Sequence, residues 1–512
     1  MSRLGPSVDG SLSTLAVVAA GVVVLSFVAL QSGGATQTGL PGVGVVEAGG
    51  SGNGTSSGNG TGTGTNNGPG TVGSGPKGSG PAVTVDKKGD VKVTTPKGIE
   101  CRAGANGGKT DRGVTATEIK LGATVVQTGI GTSFLGPVVT GMNAVKNKVN
   151  REGGICGRKV TLKLKDDGWD AQRGYTYIRN LVEGEKVFAL AVNPSSEGLR
   201  IASNEGYFVK TQTPVLGTDG MLNSQYVDPW VWPVAASTVS TMHIMAKDAY
   251  DRLDARNFSI VFDSQYHFGV EGAFAYNAAV KRLTGKDIPG YFDPGSGGGC
   301  SGRFCAINAG RSSYSTENRA FNSACFGGDD KCDFLALLLE PSEALTFVRD
   351  GFGQTFTAGM GLAQTLFSEQ FAAACGSTCN GATVWTGYLP PVGGLASKPA
   401  VAEYVNDVRG VKRDIDIYNQ FLEGGYLGMR YTIDVLKKVG PFLTRPAVLA
   451  VADAMPYDVG LSTPLKWSRG NHYANTAMQP FLIQFQNGFN GFRSPGIGWV
   501  KDPWVGLDAP KE

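Results

Sequence analysis

Segments with strand periodicity alternate with segments with helix periodicity from Glu118 onwards, and this alternation restricts the possible folds more than any other feature. Residues 119–126 form a mostly apolar run typical of a strand, and residues 138–149 repeat apolar side chains along one face of a helix. Residues 159–165 alternate strictly between apolar and polar side chains. Residues 187–192 are continuously apolar, which is typical of a central parallel strand buried on both faces. The order strand, helix, strand predicts a doubly wound parallel sheet.

The same alternation begins again after Trp232-Pro233. Residues 258–262 and 334–339 predict two further strands, and residues 343–351 predict a helix. We therefore expect an α/β fold with two doubly wound parallel-sheet lobes and a cleft between them. Ligands of open α/β sheets bind beyond the carboxyl ends of the strands. The residues directly after each strand are therefore the candidate ligand contacts.

The first 85 residues have a different composition from the rest of the chain. The segment Leu12–Leu30 is uncharged and apolar, and as a helix it would be about 29 Å long, roughly one hydrocarbon thickness. It predicts either a secretory signal peptide or an uncleaved signal anchor within residues 1–30, and both place the remaining chain outside the cytoplasm. Residues 31–85 are rich in Gly, Ser, Thr and Asn and predict a disordered linker. The chain would then be tethered to the membrane or secreted.

Charge and cysteine content exclude some functions. The chain has 46 Lys and Arg against 43 Asp and Glu, too small an excess for a nucleic-acid-binding surface. Its three His residues are scattered, so we expect no zinc or other metal site. Eight Cys in an exported chain predict disulfides. Spacing does not fix their connectivity, but the close pairs Cys300/Cys305, Cys325/Cys332 and Cys375/Cys379 suggest local bridges, which would leave Cys101 to pair with Cys156.

Hydroxyl side chains follow three of the predicted strands of the first lobe. Helix N-termini after strands favour anions, because their N–H groups are free and the helix dipole points there. Ser and Thr at helix starts are also ordinary N-caps, so each alone is a weak signal. The candidates are Thr132 and Ser133 after the first strand, Ser195 and Ser196 after the buried strand, and Thr218 with Asp219 after the fourth.

Three runs of sequence carry a family resemblance. Residues 113–122, 149–158 and 165–168 resemble the opening of type I periplasmic solute-binding proteins, in the leucine/isoleucine/valine-binding branch of ABC importers. The most specific run is Asn-x-x-Gly-Gly-Ile-x-Gly-Arg at 150–158. The resemblance spans about 112–492 and implies three crossings between lobes, near Val234, Trp385 and Tyr457. It implies a first lobe of 112–235 plus 384–457 and a second lobe of 236–383 plus 458–505.

The resemblance also implies roles for single residues. The three hydroxyl-bearing loops would hold the carboxylate and amino group of a ligand, and Glu369 would accept a hydrogen bond from its ammonium. Tyr266, Phe268 and Glu340 fall at strand ends of the second lobe and are further candidates. Phe268 departs from the family pattern, where tyrosine is common. The insertion 295–331, with cysteines in and beside it, is a second departure.

Taken together, these features imply an extracytoplasmic solute-binding protein without cofactor or catalysis. It would capture a small amino acid, or a related carboxylate or amide, and deliver it to the permease of an ABC importer. The alternative is a membrane-anchored, ligand-sensing receptor ectodomain of the same fold. A dinucleotide enzyme is disfavoured because Phe134 occupies the third position of the run that begins Gly129-Ile-Gly131, where Gly or Ala is required.

Overall fold

The computed structural model of the chain describes residues 81–86, 90–218, 220–352 and 354–509. The apolar segment Leu12–Leu30, the linker up to residue 80 and Asp219 lie outside the described residues. None of the helices in the described ranges has the length and hydropathy needed to cross a membrane.

Strands and helices alternate along the described chain. The strands are β1 Ala82–Val85, β2 Val91–Thr94, β3 Glu118–Val125, β4 Lys159–Asp166, β5 Ala189–Ala191, β6 Val215–Thr218, β7 Val231–Pro233, β8 Phe258–Asp263, β9 Cys300–Ser301, β10 Phe304–Ile307, β11 Phe334–Leu338, β12 Gly359–Leu362, β13 Thr383–Thr386, β14 Ala477–Phe485, β15 Phe489–Arg493 and β16 Val500–Lys501.

The α-helices are α1 Thr132–Leu135, α2 Val138–Arg151, α3 Ala171–Arg179, α4 Ser196–Asn204, α5 Tyr207–Thr211, α6 Ser224–Val227, α7 Thr238–Arg252, α8 His267–Thr284, α9 Ser315–Phe326, α10 Pro341–Arg349, α11 Glu369–Cys375, α12 Pro399–Arg409, α13 Gln420–Val439 and α14 Arg445–Ala454. A π-helical turn, Asn180–Gly184, continues α3.

The first sheet is parallel throughout, in the order β4-β3-β5-β6-β7. The continuously apolar run 187–192 supplies the central strand β5, as predicted, although only Ala189–Ala191 pair as a strand. Helix α13, from much later in the chain, packs on β6 where Gly217 meets Gly428. A Cβ on Gly217 would lie 2.1 Å from the Gly428 oxygen, so only glycine allows this approach. We call this sheet and its helices the first lobe.

The second sheet is parallel at its centre and antiparallel at its edges. Its order is β15-β14-β13-β12-β11-β8-β10-β9, and β16 pairs with β14. Strands β10, β8, β11, β12 and β13 run parallel, whereas β14 is antiparallel to β13 and β15. The strands predicted at 258–262 and 334–339 run parallel, as expected. The antiparallel strands β14 and β15, joined by a short turn between Phe485 and Phe489, were not predicted. This sheet and its helices form the second lobe.

The polypeptide passes between the lobes three times, and one side chain ties these crossings together. The Asn475 amide, in the third crossing, donates to the backbone oxygens of Val234 and Gly387, in the first and second crossings, at 3.0 and 3.1 Å. This is the three-segment hinge that the family resemblance implies. The predicted lobe boundaries themselves stay predictions; the boundary at 383/384 falls inside β13.

Residues near the amino end of the described chain differ from the prediction. The linker was predicted to extend to residue 85, but Ala82–Val85 pair antiparallel with Val91–Thr94. Alternating β-branched side chains in both segments favour this hairpin. The four disulfides join the pairs that the sequence suggested: Cys101–Cys156, Cys300–Cys305, Cys325–Cys332 and Cys375–Cys379.

Candidate functional site

The loops that follow the strands of both sheets meet where the two lobes touch. We call this region the interlobe seam; it comprises residues 167–169 and 193–197 of the first lobe and residues 264–268 of the second. In an open α/β sheet, this edge is where ligands bind. The seam is therefore the candidate functional site.

A tryptophan of the first lobe forms the centre of the seam. Trp169 follows β4 with φ +66°, a left-handed conformation that is uncommon for a bulky residue. Its ring stacks on Tyr266 of the second lobe, with centroids 3.9 Å apart, and Phe268 lies 5.7 Å away. On the first-lobe side, Phe134 packs edge-on against both Trp169 and Phe421, at 5.3 Å each. These five residues form what we call the aromatic cluster.

A buried carboxylate holds the loop that carries Trp169. Asp167 Oδ1 accepts hydrogen bonds from Ser195 Oγ and from the Trp169 backbone N, both at 2.9 Å. Burial raises the pKa of Asp167 to about 6, although the Ser195 hydroxyl partly offsets this effect. The Ser195 hydroxyl thus supports Asp167 and makes no N-cap bond to α4. The Trp169 indole N–H donates to Ser196 Oγ at 3.4 Å.

A carboxylate of the first lobe binds the first turn of a helix in the second. Glu197 Oε1 accepts from the backbone N of His267 at 2.9 Å, and Oε2 lies 2.8 Å from His267 Nδ1. The Glu197 side chain is 4% exposed. Arg200 approaches the same carboxylate at 3.6 Å. Glu197 therefore links the two lobes through both a backbone N–H and a side chain.

The second lobe places three carboxyls behind its strand ends. Glu340 caps α10, accepting from the backbone N of Ser342 and of Glu343. Asp263 Oδ1, at the end of β8, accepts from the backbone N of Gln265 and Tyr266. Burial and the neighbouring Asp263 raise the pKa of Glu343 far above its usual range, and burial also raises the pKa of Asp263 and Glu340. All three carboxyls are therefore harder to ionise than carboxyls in water.

The hydroxyls predicted after β3 lie beside the seam, on a surface groove. This groove has a volume of about 370 Å³; Thr132 and Ser133 line it from the first lobe, and Gln370 lines it from the second. The Thr132 hydroxyl donates to the Gly129 oxygen, and Ser133 is exposed. Thr218 is fully buried, donates to Gln225 Oε1 and accepts from the Gly220 backbone N.

The predicted acidic residue of the second lobe lies outside the aromatic cluster. Glu369 is exposed at the start of α11, and its backbone N donates to Asp416 Oδ2 at 2.8 Å. Its neighbour Gln370, not Glu369 itself, lines the groove beside Ser133. Of the predicted residues, the structure brings Ser195, Ser196, Tyr266 and Phe268 together in the seam, and it places Glu340 behind Tyr266. Thr218 and Glu369 lie apart from the aromatic cluster, whereas Thr132 and Ser133 directly precede Phe134 of that cluster and line the neighbouring groove.

Sequence reasoning missed several residues of the seam. Asp167, Trp169, Glu197 and His267 were not predicted, nor was Gln420 beside the seam. Asp167 lies within the run 165–168 used for the family resemblance, so its position directly after β4 was an available signal. Glu197 and His267 are 70 residues apart and carry no local pattern.

Aromatic rings and polar groups from two lobes suit the seam to hold one small organic molecule. Rings provide apolar contact area at low entropic cost, and hydroxyls, amides and carboxylates provide orientation. A second cavity, of about 770 Å³, is lined by residues such as Phe356, Met360 and Thr378 at the amino ends of β12 and β13. It lies at the edge of the sheet opposite to where such folds bind ligands. In the described part of the chain, no group of His, Cys, Asp and Glu is arranged to hold a metal ion.

Comparison with solved structures identifies proteins of the same fold. A possible leucine/isoleucine/valine-binding protein from Rhodopirellula baltica has 16% identity and TM-score 0.61, with 74% of this chain and 96% of that chain covered. A branched-chain amino acid transporter substrate-binding protein from Streptococcus pneumoniae, in complex with isoleucine, has 13% identity and TM-score 0.59, with 75% and 100% covered. A fatty acid ABC transporter substrate-binding protein from Thermomonospora curvata has 16% identity and TM-score 0.62, with 81% and 97% covered.

Comparison with curated proteins gives no match. The family described as periplasmic binding protein matches residues 118–488, which include the whole first sheet, most of the second sheet and the seam. This match confirms the family resemblance found in the sequence. The chain belongs to the periplasmic binding protein family.

Proposed function

We propose that this protein captures a small organic solute in the interlobe seam, outside the cytoplasm, and delivers it to the permease of an ABC importer. The observation that carries the proposal is the meeting of both sets of strand-end loops at the stack of Trp169 on Tyr266. A solute that touches both lobes stabilises the closed arrangement by its differential affinity for closed over open. The lobes would then present a closed surface for the permease to recognise.

The solute class follows from the groups around the aromatic cluster. The rings favour a ligand with an apolar part, and the surrounding hydroxyls and carboxyls favour polar groups at its other end. A small amino acid, or a related carboxylate or amide, has this composition. The structural relatives include binders named for branched-chain amino acids and for fatty acids, so both kinds of solute belong in a first screen. We propose that the solute is bound and released without chemical change.

The proposal is tested by a thermal-shift screen of the purified chain against amino acids, amides and carboxylates. Binding to the folded state raises the melting temperature with the ratio of ligand concentration to dissociation constant. Tyr266→Ala should abolish the shift, and Tyr291→Ala, which removes a ring that packs on Phe304 within the second lobe, should keep it. A screen without any stabilising solute, or an unchanged shift in Tyr266→Ala, would contradict the proposal.

A further inference from the structure

One buried amide at the seam has no hydrogen-bond partner in the structure. Gln420 is the first residue of α13 and is 1% exposed. Neither its Oε1 nor its Nε2 makes a hydrogen bond with any described residue. Buried polar side chains in folded proteins are almost always hydrogen-bonded, because leaving them unpaired destabilises the fold. An amide with both ends unpaired therefore calls for a functional explanation.

Gln420 lies where the two lobes touch. Its backbone N donates to the Phe367 oxygen of the second lobe at 3.3 Å. The next residue, Phe421, belongs to the aromatic cluster and packs on Phe134. A molecule held by the Gln420 amide would therefore contact both lobes and have apolar rings nearby.

A second buried glutamine at the seam provides a comparison. Gln364 follows β12 in the second lobe and is 3% exposed. Its Nε2 donates to the Ala236 backbone oxygen at 3.4 Å. The Gln364 amide is thus held by a hydrogen bond to the backbone, whereas the Gln420 amide is equally buried and makes no such bond.

The chemistry of an amide restricts what can pair with Gln420. Its Nε2 donates and its Oε1 accepts. A carboxylate can accept from Nε2 but cannot donate to Oε1, and an ammonium can donate to Oε1 but cannot accept from Nε2. A carboxamide does both at once through a single uncharged group, whereas an amino acid needs its two charged groups together to do so.

The charges around the seam also disfavour an anion. Asp167, Glu197, Asp263 and Glu340 are buried there. Arg200 and His267 already approach Glu197. An added carboxylate would experience repulsion in a region of low dielectric constant, whereas a neutral group would not.

We propose that Gln420 is the polar anchor of the ligand site and that it selects solutes carrying an uncharged carboxamide over the corresponding carboxylates. This inference rests on the proposed function, because it names the solute class of the same seam. The amide of the solute pairs with both ends of the Gln420 side chain, and its hydrocarbon part packs against the aromatic cluster.

The test uses calorimetric titration of the full chain with two matched pairs, isovaleramide against isovalerate and benzamide against benzoate. The wild-type protein should bind the amide of each pair at least about tenfold more tightly, since two neutral hydrogen bonds correspond to about 10- to 100-fold in affinity. Gln420→Met keeps the length of the side chain but removes both polar atoms. It should weaken amide binding by a similar factor and erase the difference within each pair.

Melting temperatures separate an anchoring role from a structural one. Gln420→Met should raise the melting temperature of the ligand-free protein by about 1–3 °C, because it removes an unpaired buried amide. Gln364→Met removes a made hydrogen bond and should lower it. A lower melting temperature in Gln420→Met would overturn the inference.

The remaining outcomes distinguish this inference from the proposed function. A wild-type preference for the carboxylates would overturn the inference, and this measurement does not depend on whether the variant folds. An amide preference that survives in Gln420→Met would also overturn it. If none of the four probes binds while another solute in the wider screen does, the inference fails and the proposed function stands. If no solute binds at all, both fail.

Discussion

The two lobes accommodate the buried carboxyls at their strand ends in different ways. In the first lobe, Asp167 accepts hydrogen bonds from the Ser195 hydroxyl and the Trp169 backbone N–H, and burial raises its pKa to about 6. In the second lobe, burial raises the pKa of Asp263, Glu340 and Glu343, and the neighbouring Asp263 raises that of Glu343 further. The first lobe thus buries one acid with two hydrogen bonds, and the second buries three acids close together. The comparison shows that the seam is polar on both sides and that buried acids on both sides disfavour a further negative charge.

The lobes also differ in how they are cross-linked. One disulfide of the first lobe, Cys101–Cys156, closes a separation of 55 residues, whereas those of the second lobe close separations of 4 to 7. The long bridge fastens the segment before β3 to the α2–β4 turn. The short ones fasten local turns around the β9–β10 hairpin, α9 and α11.

The largest effect is expected where the two lobes meet. Trp169→Ala removes the ring that stacks on Tyr266 and packs on Phe134, and replacing a buried Trp by Ala costs about 3–5 kcal/mol of unfolding free energy. Urea unfolding measures this loss, and solute titration should show weaker binding as well. Trp499→Ala, at a partly buried position, is the control and should leave the affinity unchanged. Wild-type affinity in folded Trp169→Ala would remove the aromatic cluster from the site.

The next largest difference between the two lobes is expected in the stability that each loses when a disulfide is removed. In the chain-entropy description, the bridge Cys101–Cys156 contributes about 4 kcal/mol and a bridge over five residues about 2 kcal/mol, because the longer loop restricts the unfolded chain more. The double variant Cys101→Ser/Cys156→Ser should therefore lose more stability than Cys375→Ser/Cys379→Ser. Equal losses in urea unfolding would show that loop length does not govern these bridges.

A smaller, pH-dependent effect is expected from Asp167. Its folded pKa of about 6 exceeds the value of 3.8 for an unperturbed Asp, so its contribution to stability is fully present below about pH 4 and is lost as the pH rises through 6. Asp167→Asn should stabilise the protein by about 2 kcal/mol at pH 7 and reduce the gain in stability that the wild type shows between pH 7 and pH 4.

Asp166, the preceding residue, is a control because its contribution to stability changes with pH in the opposite direction. Burial tends to raise the pKa of Asp166, but hydrogen bonds from Gln127, Thr128 and Gly168 outweigh this effect and lower it. Its contribution is therefore present above the unfolded pKa and lost as the pH falls through the folded value. Asp166→Asn should destabilise the protein at pH 7. Melting curves of both variants from about pH 2 to pH 7 check the two signs, because the folded pKa of Asp166 lies below its ordinary value. Parallel curves over this whole range would contradict them.

Much of the fold followed from the sequence, because buried parallel strands and amphipathic helices leave a local pattern. The run 187–192 predicted the central strand, and the helical repeat over 138–149 predicted α2. The antiparallel edge of the second sheet did not follow, since its pairing is non-local. The strand Ala82–Val85 was missed because the Gly-rich composition before it dominated the interpretation.

The candidate site was less predictable than the fold. Of the loops that hydroxyls after strands indicated, the loop of Ser195 and Ser196 lies in the seam. The partners of these hydroxyls are not encoded locally: Ser195 lies 28 residues from Asp167 in the chain. The left-handed backbone of Trp169 has no signature in a non-glycine residue. Gln420 begins the helix α13, which follows the second crossing of the chain, and its unpaired state is visible only once both lobes are in place.

Hydrogen exchange of the full chain, with and without the solute that gives the largest thermal shift, tests the central claim most directly. If one small solute binds between the two sheets, exchange should slow at 167–169 and 193–197 in the first lobe and at 264–268 in the second, all in the same experiment. Protection confined to one lobe, or centred on the cavity at 348–360 and 377–382, would contradict it.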